Sequence, residues 1–346
     1  MSSKYNPQMP SKSYDPNDYR VLRNLPFIDS FAEDPSMRFD SGEDAGVFFA
    51  GELDHIKAEV YNKLYPQFTA LSLFPVSSEA PIGADTISYY GYDKVGEAKF
   101  IHDYASDLPR ADVFGQPVTR PIKTIGTHYG YSNQEMRASR MAGKSLDILR
   151  GEAAKYTIDY LTNRVAWAGD TETGLDGVLS VGNDVPVFAL PNDGRNNSPR
   201  FVDKTPEQIL RDIAAMVRFV AALTKSVEQP DNLALPTEAY LHLFDTPRSP
   251  ASDFSVGQWV LQNMPRLKTI VEAPELNHDS DITPYPGIDV GFMFSKNRRK
   301  FSIEIPMPFY QYPIQPRNLG FIVPCESRIA GALIYYPKSM LIIPGV

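Results

Sequence analysis

Residues 87–131 (ISYYGYDKVGEAKFIHDYASDLPRADVFGQPVTRPIKTIGTHYGY) constrain this chain most, because they read as a strand pair that is too polar for a core. β-branched and aromatic residues favour extended structure, and charged residues such as Lys99, Asp103 and Arg120 interrupt the apolar pattern on both faces. Two prolines and a glycine within 103–117 mark the tip. We expect a projecting loop that needs a surface outside its own domain, and we interpret it as an arm for gripping neighbouring copies.

A capped helix follows this strand pair. Ser132 and Glu135 have the spacing of a capping box, which predicts a helix from about Asn133. Gly143 interrupts the pattern, and it resumes at Leu146. Two apolar stripes predict packing on two sides of this helix, one with Leu149, Ala153, Tyr156 and Tyr160 and the other with Ile158, Leu161 and Val165.

Size and charge narrow the class of protein. With 346 residues the chain is longer than the size at which a single hydrophobic core keeps growing, so we expect two domains or one domain with large excursions. A net charge of −8 disfavours tight binding of nucleic acid by the whole surface. The single cysteine, Cys325, cannot form an intrachain disulfide. The start MSSKYNPQMP lacks a signal-peptide pattern, and no apolar run approaches the roughly 18 residues of a membrane span, so we expect a soluble protein.

The remaining segments predict a mixed architecture. Residues 1–42 show no sustained period and read as an extended arm, either disordered or ordered on another subunit. Residues 44–65 predict an amphipathic helix. Thr205, Pro206 and Gln208 form a second helix start. Short strands and helices follow, and the C-terminal β segments are expected to return to the first domain.

The sequence offers only weak candidates for catalytic or metal-binding residues. The histidines are scattered, and none has the spacing of a paired metal ligand: His55, His102, His128, His242 and His278. The loop with Asp170, Glu172 and Asp176 reads as a turn solvated by acids, with a cation site as the alternative. Standard hydrolase, P-loop and dinucleotide motifs are missing from the sequence.

Three further features have plain interpretations. Cys325 lacks a visible base partner and is expected to be a buried, inert thiol. The sequon at 196–198 has no meaning without secretion. Arg298, Arg299 and Lys300 read as a solvated hairpin turn between two strands, with a contact to an acidic neighbour or to packaged nucleic acid as the alternative. We therefore predict no catalytic, cofactor-binding or metal-binding residue and no cofactor.

Four segments resemble one family: FFAGELDHIKAEVYNKLYP, YGYDKVGEAKFIHDYASDLPRADV, GTHYGYSNQEMRASRMAGKSLD and NRVAWAGDTETGLDGVLS. They are similar to the major capsid proteins of tailed double-stranded DNA bacteriophages, within the encapsulin-like capsid superfamily. The similarity is dense over 44–180, and the rest of the chain agrees in order and length.

The resemblance implies an α+β fold with an N-terminal arm, an extended β loop, a peripheral domain with a long spine helix, and an axial domain. In this sequence these parts would be the arm at 1–43, a helix and lead-in at 44–83, the loop at 84–130, the peripheral domain at 131–180 and 318–346, and the axial domain at 181–317.

The same resemblance implies a structural, non-enzymatic protein that forms hexamers and pentamers, and from them an icosahedral head around double-stranded DNA. It implies a virion location after assembly in the bacterial cytoplasm. A separate scaffolding protein is expected, because 43 residues are too few for a fused one. The other expected partners are a portal protein and weakly contacted DNA, and a decoration protein is left open. Some relatives crosslink a loop lysine; Lys94 and Lys99 are available here, but we predict no crosslink. The alternatives are an encapsulin-like nanocompartment shell and, from another class, a soluble hydrolase or sugar-binding protein.

Overall fold

The chain folds into a mixed body of helices and small sheets. The computed structural model describes residues 67–100, 109–142, 146–251 and 253–346. The predicted arm, the predicted helix at 44–65 and the loop residues 101–108 lie outside the described residues.

The helices are short except for two, and many short strands lie between them. The helices are α1 (Ala70–Leu73), α2 (Asn133–Ala142), α3 (Leu146–Ala168), α4 (Pro206–Leu223), α5 (Thr237–Asp245) and α6 (Val256–Asn263). The strands are β1 (Val76–Ser77), β2 (Thr86–Val95), β3 (Asp112–Pro121), β4 (Lys123–Ser132), β5 (Gly169–Asp170), β6 (Leu175–Asp176), β7 (Asn232–Leu235), β8 (Thr269–Glu272), β9 (Val290–Phe294), β10 (Phe301–Glu304), β11 (Met307–Gln311), β12 (Gln315–Arg317), β13 (Gly320–Ile329), β14 (Gly331–Ile334) and β15 (Leu341–Pro344). Within the described ranges, no helix combines the length and apolar character that crossing a bilayer requires.

The predicted helix starts are confirmed. Ser132 Oγ accepts a hydrogen bond from Glu135 N at 3.0 Å, and Glu135 Oε2 accepts one from Ser132 N at 3.0 Å. Arg150 of α3 also binds Glu135, and its hydrogen bond lowers the pKa of this carboxyl group from 4.5 to about 2. Thr205 and Gln208 form the second capping box. These starts are readable from sequence because their partners lie three residues apart.

The central sheet joins distant parts of the chain. β4 pairs antiparallel with β13 over ten residues, 123–132 with 320–329, and β11 and β12 pair with the other edge of β13. The extended loop was predicted to reach residue 130; β4, at the end of that range, pairs with β13 in this sheet, whereas β2 and β3 pair with each other.

A second sheet has the order β15-β9-β7-β8. Leu341–Pro344 therefore pairs with a strand of the 181–317 segment, although the sequence analysis grouped 318–346 with the 131–180 segment. A third, three-stranded sheet has the order β1-β10-β14 and attaches the lead-in segment through parallel pairing of β1 with β10.

An aromatic cluster forms the centre of the larger core. The Phe74 ring lies 4.6 Å from Trp167, 5.4 Å from Phe294 and 5.6 Å from Phe301, all with edge-on geometry. Edge-to-face pairs at such distances add stabilisation beyond the area that they bury. The cluster thus joins the lead-in segment, α3, β9 and β10. A separate core packs α4, α5 and α6 against the second sheet.

The helix α3 buries one side and exposes part of another. Ala154, Ile158 and Val165 are buried, whereas Leu149 and Leu161 remain 38% and 37% exposed. Tyr156 and Tyr160, on the other predicted stripe, contact Phe68 with ring centroids 5.1 and 6.0 Å apart, so residues of both stripes pack against neighbouring segments while part of the apolar surface stays exposed.

A buried polar network fixes α1 to α3 and to the 3₁₀ turn at Pro274–Leu276. Glu275, 5% exposed, accepts hydrogen bonds from Thr69 N (2.8 Å), Thr69 Oγ1 (2.8 Å) and Asn163 Nδ2 (2.9 Å). Asn163 Oδ1 in turn accepts one from Ala70 N at 3.0 Å. The carboxylate thus satisfies donors at the start of α1 that burial removes from water.

We predict that Glu275→Ala destabilises the chain by about 3 kcal/mol, because it leaves three donors buried without their acceptor. Chemical unfolding followed by tryptophan fluorescence measures this. Glu172→Ala, at an exposed carboxylate, is the matched control and should change stability by less than about 0.5 kcal/mol. Equal stability of the two variants would contradict the prediction.

Candidate functional site

The most distinctive surface is the ribbon, defined as β2 and β3. Its strands pair antiparallel over ten residues, from Thr86 opposite Pro121 to Val95 opposite Asp112. Because side chains alternate along a strand, the ribbon has two faces. One of them carries Tyr90, Tyr92 and Lys94.

The root of the ribbon is anchored to the body by two long side chains. Tyr89 Oη donates a hydrogen bond to the Ile334 carbonyl oxygen at 2.8 Å, and its ring lies edge-on to Tyr335 at 4.8 Å. Burial raises the pKa of Tyr89, so the hydroxyl stays a donor. On the other strand Arg120 pairs with Asp176, in the turn after α3.

The joint between ribbon and central sheet is also fixed. A single residue, Ile122, separates β3 from β4; it is 4% exposed and packs with Ala80 and Ala330. Its backbone N–H donates to the Asp85 carbonyl oxygen at 2.8 Å. The ribbon therefore leaves the body at a position that buried contacts determine.

The outer half of the ribbon is apolar and exposed. Tyr90 and Tyr92 are 60% and 71% exposed, and their rings stack 6.2 Å apart. A β-carbon at Gly115 would lie 2.8 Å from the Tyr92 ring, so glycine there lets this ring lie flat on β3. Val113, opposite Lys94, is exposed on the same face, and Val95 and Phe114 are exposed on the other face. Large exposed apolar side chains close together mark an interaction site.

A groove lies on the solvent-facing side of the central sheet. It encloses about 520 Å³ and is lined by Thr124, Gly126, Thr127, His128, Tyr312, Gln315, Pro316, Arg317, Ile322, Pro324, Cys325 and Glu326. Tyr312 Oη donates to Glu326 Oε2 at 2.7 Å, and this bond raises the pKa of Tyr312. The opposite side of the sheet carries Ile125, Val323 and Ile329, which are buried.

The acidic loop has internal and ionic partners. Asp170 accepts from Thr173 Oγ1 at 2.6 Å, which lowers the pKa of Asp170, and Asp176 pairs with Arg120. Glu172 is exposed. Across the described ranges, no three histidine, cysteine, aspartate or glutamate side chains gather closely enough to hold a metal ion.

The other candidates are dispersed. His128 is exposed and lines the groove, His242 lies near Thr246, and His278 Nδ1 lies 3.0 Å from Asp289, which also accepts from Arg200. His55 and His102 lie outside the described residues. Cys325 is buried, and burial raises the pKa of its thiol. The sequon residue Asn196 lies in an exposed turn with a φ of 59°.

The basic segment lies between β9 and β10, which belong to different sheets, so the predicted hairpin turn is wrong. Most of its cations have partners: Lys296 donates to the Ser72 carbonyl oxygen (2.7 Å), Arg298 to Ser77 Oγ (2.7 Å) and Lys300 pairs with Glu228 (2.6 Å). These contacts fasten the lead-in segment to the body.

Sequence reasoning found the ribbon but missed the residues that orient it. The partners of Tyr89 and Arg120 lie 245 and 56 residues away along the chain, so neither is marked by local spacing. The groove was missed as well. The alternation of Gly126, His128 and Gly130 on one face of β4 is the signal that could have indicated it.

Comparison with known proteins identifies the fold. The family model described as major capsid protein matches residues 96–346. The structure is similar to the capsid of Myoviridae phage XM1, with a TM-score of 0.73 and 16% identity over 86% of this chain and 98% of that one. It is also similar to the capsid of a native GTA particle, with a TM-score of 0.60 and 12% identity over 87% and 98%. A third similar structure, from Mycobacterium phage Ogopogo, has a TM-score of 0.57 and 12% identity over 86% and 98%.

No curated protein sequence matches the chain. The structural matches confirm the predicted α+β fold of tailed-phage capsid subunits. This chain belongs to the major capsid protein family of tailed phages.

Proposed function

We propose that this chain is the repeating subunit of an icosahedral phage head, built from hexamers and pentamers around double-stranded DNA. The observation that carries the proposal is the ribbon, whose root is fixed by Tyr89 and Arg120 while its outer tyrosines face solvent. A rigid projection with an apolar end gains stability when a neighbouring copy covers that end.

Identical copies that contact one another through two different surfaces form rings when the rotation closes. Each aromatic side chain of the ribbon can remove on the order of 150–250 Å² from water. At about 25 cal/mol per Å² this is several kcal/mol before the cost of association is subtracted. The head is thus stabilised by many modest contacts rather than by one strong one.

We assign the segments as the family resemblance implies: an arm at 1–43, a helix and lead-in at 44–83, a loop at 84–130, a peripheral domain at 131–180 and 318–346, and an axial domain at 181–317. Two observations favour adjusting this division. The pairing of β4 with β13 favours ending the loop near Pro121, and the pairing of β15 with β9 favours placing the last strand with the axial segment.

Separate scaffolding, portal and decoration proteins are the proposed partners, and assembly takes place in the host cytoplasm. Contact with DNA is weak, because the chain carries a net charge of −8 and the cations of the basic turn are largely paired. A strongly positive inner surface of the assembled particle would argue against weak contact. Membership of a capsid family supports a structural role without catalysis.

Nucleic acid separates this proposal from an encapsulin-like compartment that encloses an enzyme. We predict that particles purified from infected cells and treated with nuclease retain encapsidated double-stranded DNA. The ratio of nucleic-acid to protein ultraviolet absorbance, before and after particle disruption, measures it. Particles that enclose a protein cargo and no DNA would favour the compartment.

We predict that the ribbon is required for assembly but not for folding. Replacing residues 91–116 with Asn-Gly keeps the root pairs from Thr86–Pro121 to Tyr90–Pro117 and forms a two-residue hairpin. We expect folded, soluble subunits and no particles by negative-stain microscopy.

A point variant, Tyr90→Ser with Tyr92→Ser, should also lose particles, whereas Tyr92→Phe should keep them. Normal shells from the truncated chain would refute the role of the ribbon.

We also predict that the shell has no covalent crosslink. Lys94 lies on the ribbon and Lys99 follows β2, but no sequence motif marks a partner for either. Mature particles denatured in guanidinium should give a single subunit mass by mass spectrometry. A ladder of multimers that Lys94→Arg or Lys99→Arg removes would prove the prediction wrong.

A further inference from the structure

We propose that the sheet β15-β9-β7-β8 carries opposite charges at its two ends, and that the basic end of one copy contacts the acidic end of the next copy around a ring. This inference rests on the proposed function and names a contact within it. It commits to a second copy of this chain as the partner, because one chain supplies both charges.

The strand directions bring charges that are distant in sequence to the same end of the sheet. β7 and β8 run parallel, with Leu235 opposite Glu272, and β9 runs antiparallel to β7, with Phe294 opposite Asn232. The residues before β7 and β8 therefore lie at the same end as the residues after β9. At 3.3 Å per residue the two ends are on the order of 13 Å apart, which exceeds the Debye length of about 8 Å at physiological ionic strength.

The basic end contains the segments that precede β7 and β8 and the segment that follows β9. Its cations are Arg266, Lys268, Lys296, Arg298, Arg299 and Lys300. Asp231, just before β7, accepts hydrogen bonds from Lys268 Nζ at 3.3 Å and from Lys296 N at 3.2 Å. Lys300 Nζ lies 2.6 Å from Glu228 Oε2. These contacts show that the basic segments lie side by side.

The carboxylates at the basic end do not compensate all of its cations. Arg298 pairs with Glu79 at 3.3 Å, whereas Lys296 Nζ bonds to a backbone carbonyl oxygen and keeps its charge. Arg266 and Arg299 are exposed, and neither guanidinium group has a carboxylate partner among the described residues. This end is therefore positive, although the whole chain has a net charge of −8.

The acidic end contains the segments that follow β7 and β8 and the residue that precedes β9. Its carboxylates are Glu238, Glu272, Asp279, Asp281 and Asp289. Asp289 accepts hydrogen bonds from His278 N at 2.8 Å and from Arg200 Nη2 at 3.0 Å, and Arg200 also pairs with Glu238. These contacts join the three segments at one end of the sheet.

Two carboxylates at the acidic end remain available to a partner. Asp279 and Asp281 are exposed, and within the described ranges neither has a cation as a partner. They are the counterpart of Arg266 and Arg299 at the basic end. The sheet thus offers unpaired charges of opposite sign at its two ends.

The two ends cannot neutralise each other within one copy, because they lie at opposite ends of the same strands. Between copies, the basic end of one meets the acidic end of the next, and a contact between two different surfaces closes rings. Two basic ends or two acidic ends repel, so the charges also fix the direction in which the copies follow one another. DNA bound to the basic end would leave the acidic end without a partner.

Charge reversal at each end tests the contact. The basic-end variant is Arg266→Glu with Arg299→Glu, and the acidic-end variant is Asp279→Lys with Asp281→Lys. We expect each to lower the yield of pelletable particles roughly tenfold or more, because like charges then face each other. The variant with all four substitutions should recover most of the yield, because its two ends are again opposite in sign. All four positions are exposed, so the melting temperature of the subunit should stay within a few degrees.

The matched control reverses two exposed cations on the helices α2 and α3. Arg137→Glu with Lys155→Glu should give particles in nearly the normal yield.

A mixture of the two end variants identifies the partner. The basic-end variant has two acidic ends, and the acidic-end variant has two basic ends. The two chains alternate around a ring with an even number of copies, whereas an odd number leaves two like ends in contact. Co-expression should therefore give hexameric rings or open sheets by negative-stain microscopy, and no closed heads, whereas the variant with all four substitutions should give closed heads.

The inference is overturned if the end variants assemble as well as the unaltered chain, or if the fourfold variant folds normally but recovers nothing. The second outcome is the one expected if DNA binds the basic end. A mixture that closes complete heads as readily as the fourfold variant would also overturn it. Failure of the unaltered chain to form any shell, with all partners supplied, would instead refute the proposed function, so the two failures are distinguishable.

Discussion

The packing of Phe74 against Trp167, Phe294 and Phe301 is the interaction on which the rest of this subunit depends. It brings the lead-in segment, the end of α3 and two strands from the second half of the chain into one apolar core. Burying such large rings supplies much of the gain that offsets the conformational entropy of ordering a long chain. The polar network around Glu275 lies at the edge of this core and fixes the direction in which α1 enters it.

The contacts that position the ribbon come from elements of this core. Asp176 follows α3 closely and pairs with Arg120, while Tyr89 binds the carbonyl of Ile334 at the end of β14. The elements that form the core therefore also fix the direction in which the ribbon leaves the body. Tyr90 and Tyr92 in its outer half remain 60% and 71% exposed, so their apolar surface is available to a partner.

The surfaces left uncovered explain why the subunit is complete only in an assembly. Exposed tyrosines on the ribbon and the exposed Leu149 and Leu161 of α3 would each be a liability on a protein that works alone. In a capsid subunit such surfaces are expected, because each has an identical neighbour against which it can pack.

The sequence by itself determined the features that depend on near neighbours. The starts of α2 and α4 follow from capping partners three residues apart, and the polar β pattern identified the ribbon. Tertiary structure alone decided that β4 pairs with β13, that β15 joins β9, and that Glu275 meets Asn163. These contacts join residues separated by about fifty to two hundred positions, and no local period encodes which distant strand or side chain will be the partner. The groove also depends on tertiary structure, because it forms only once β4 and β13 lie side by side.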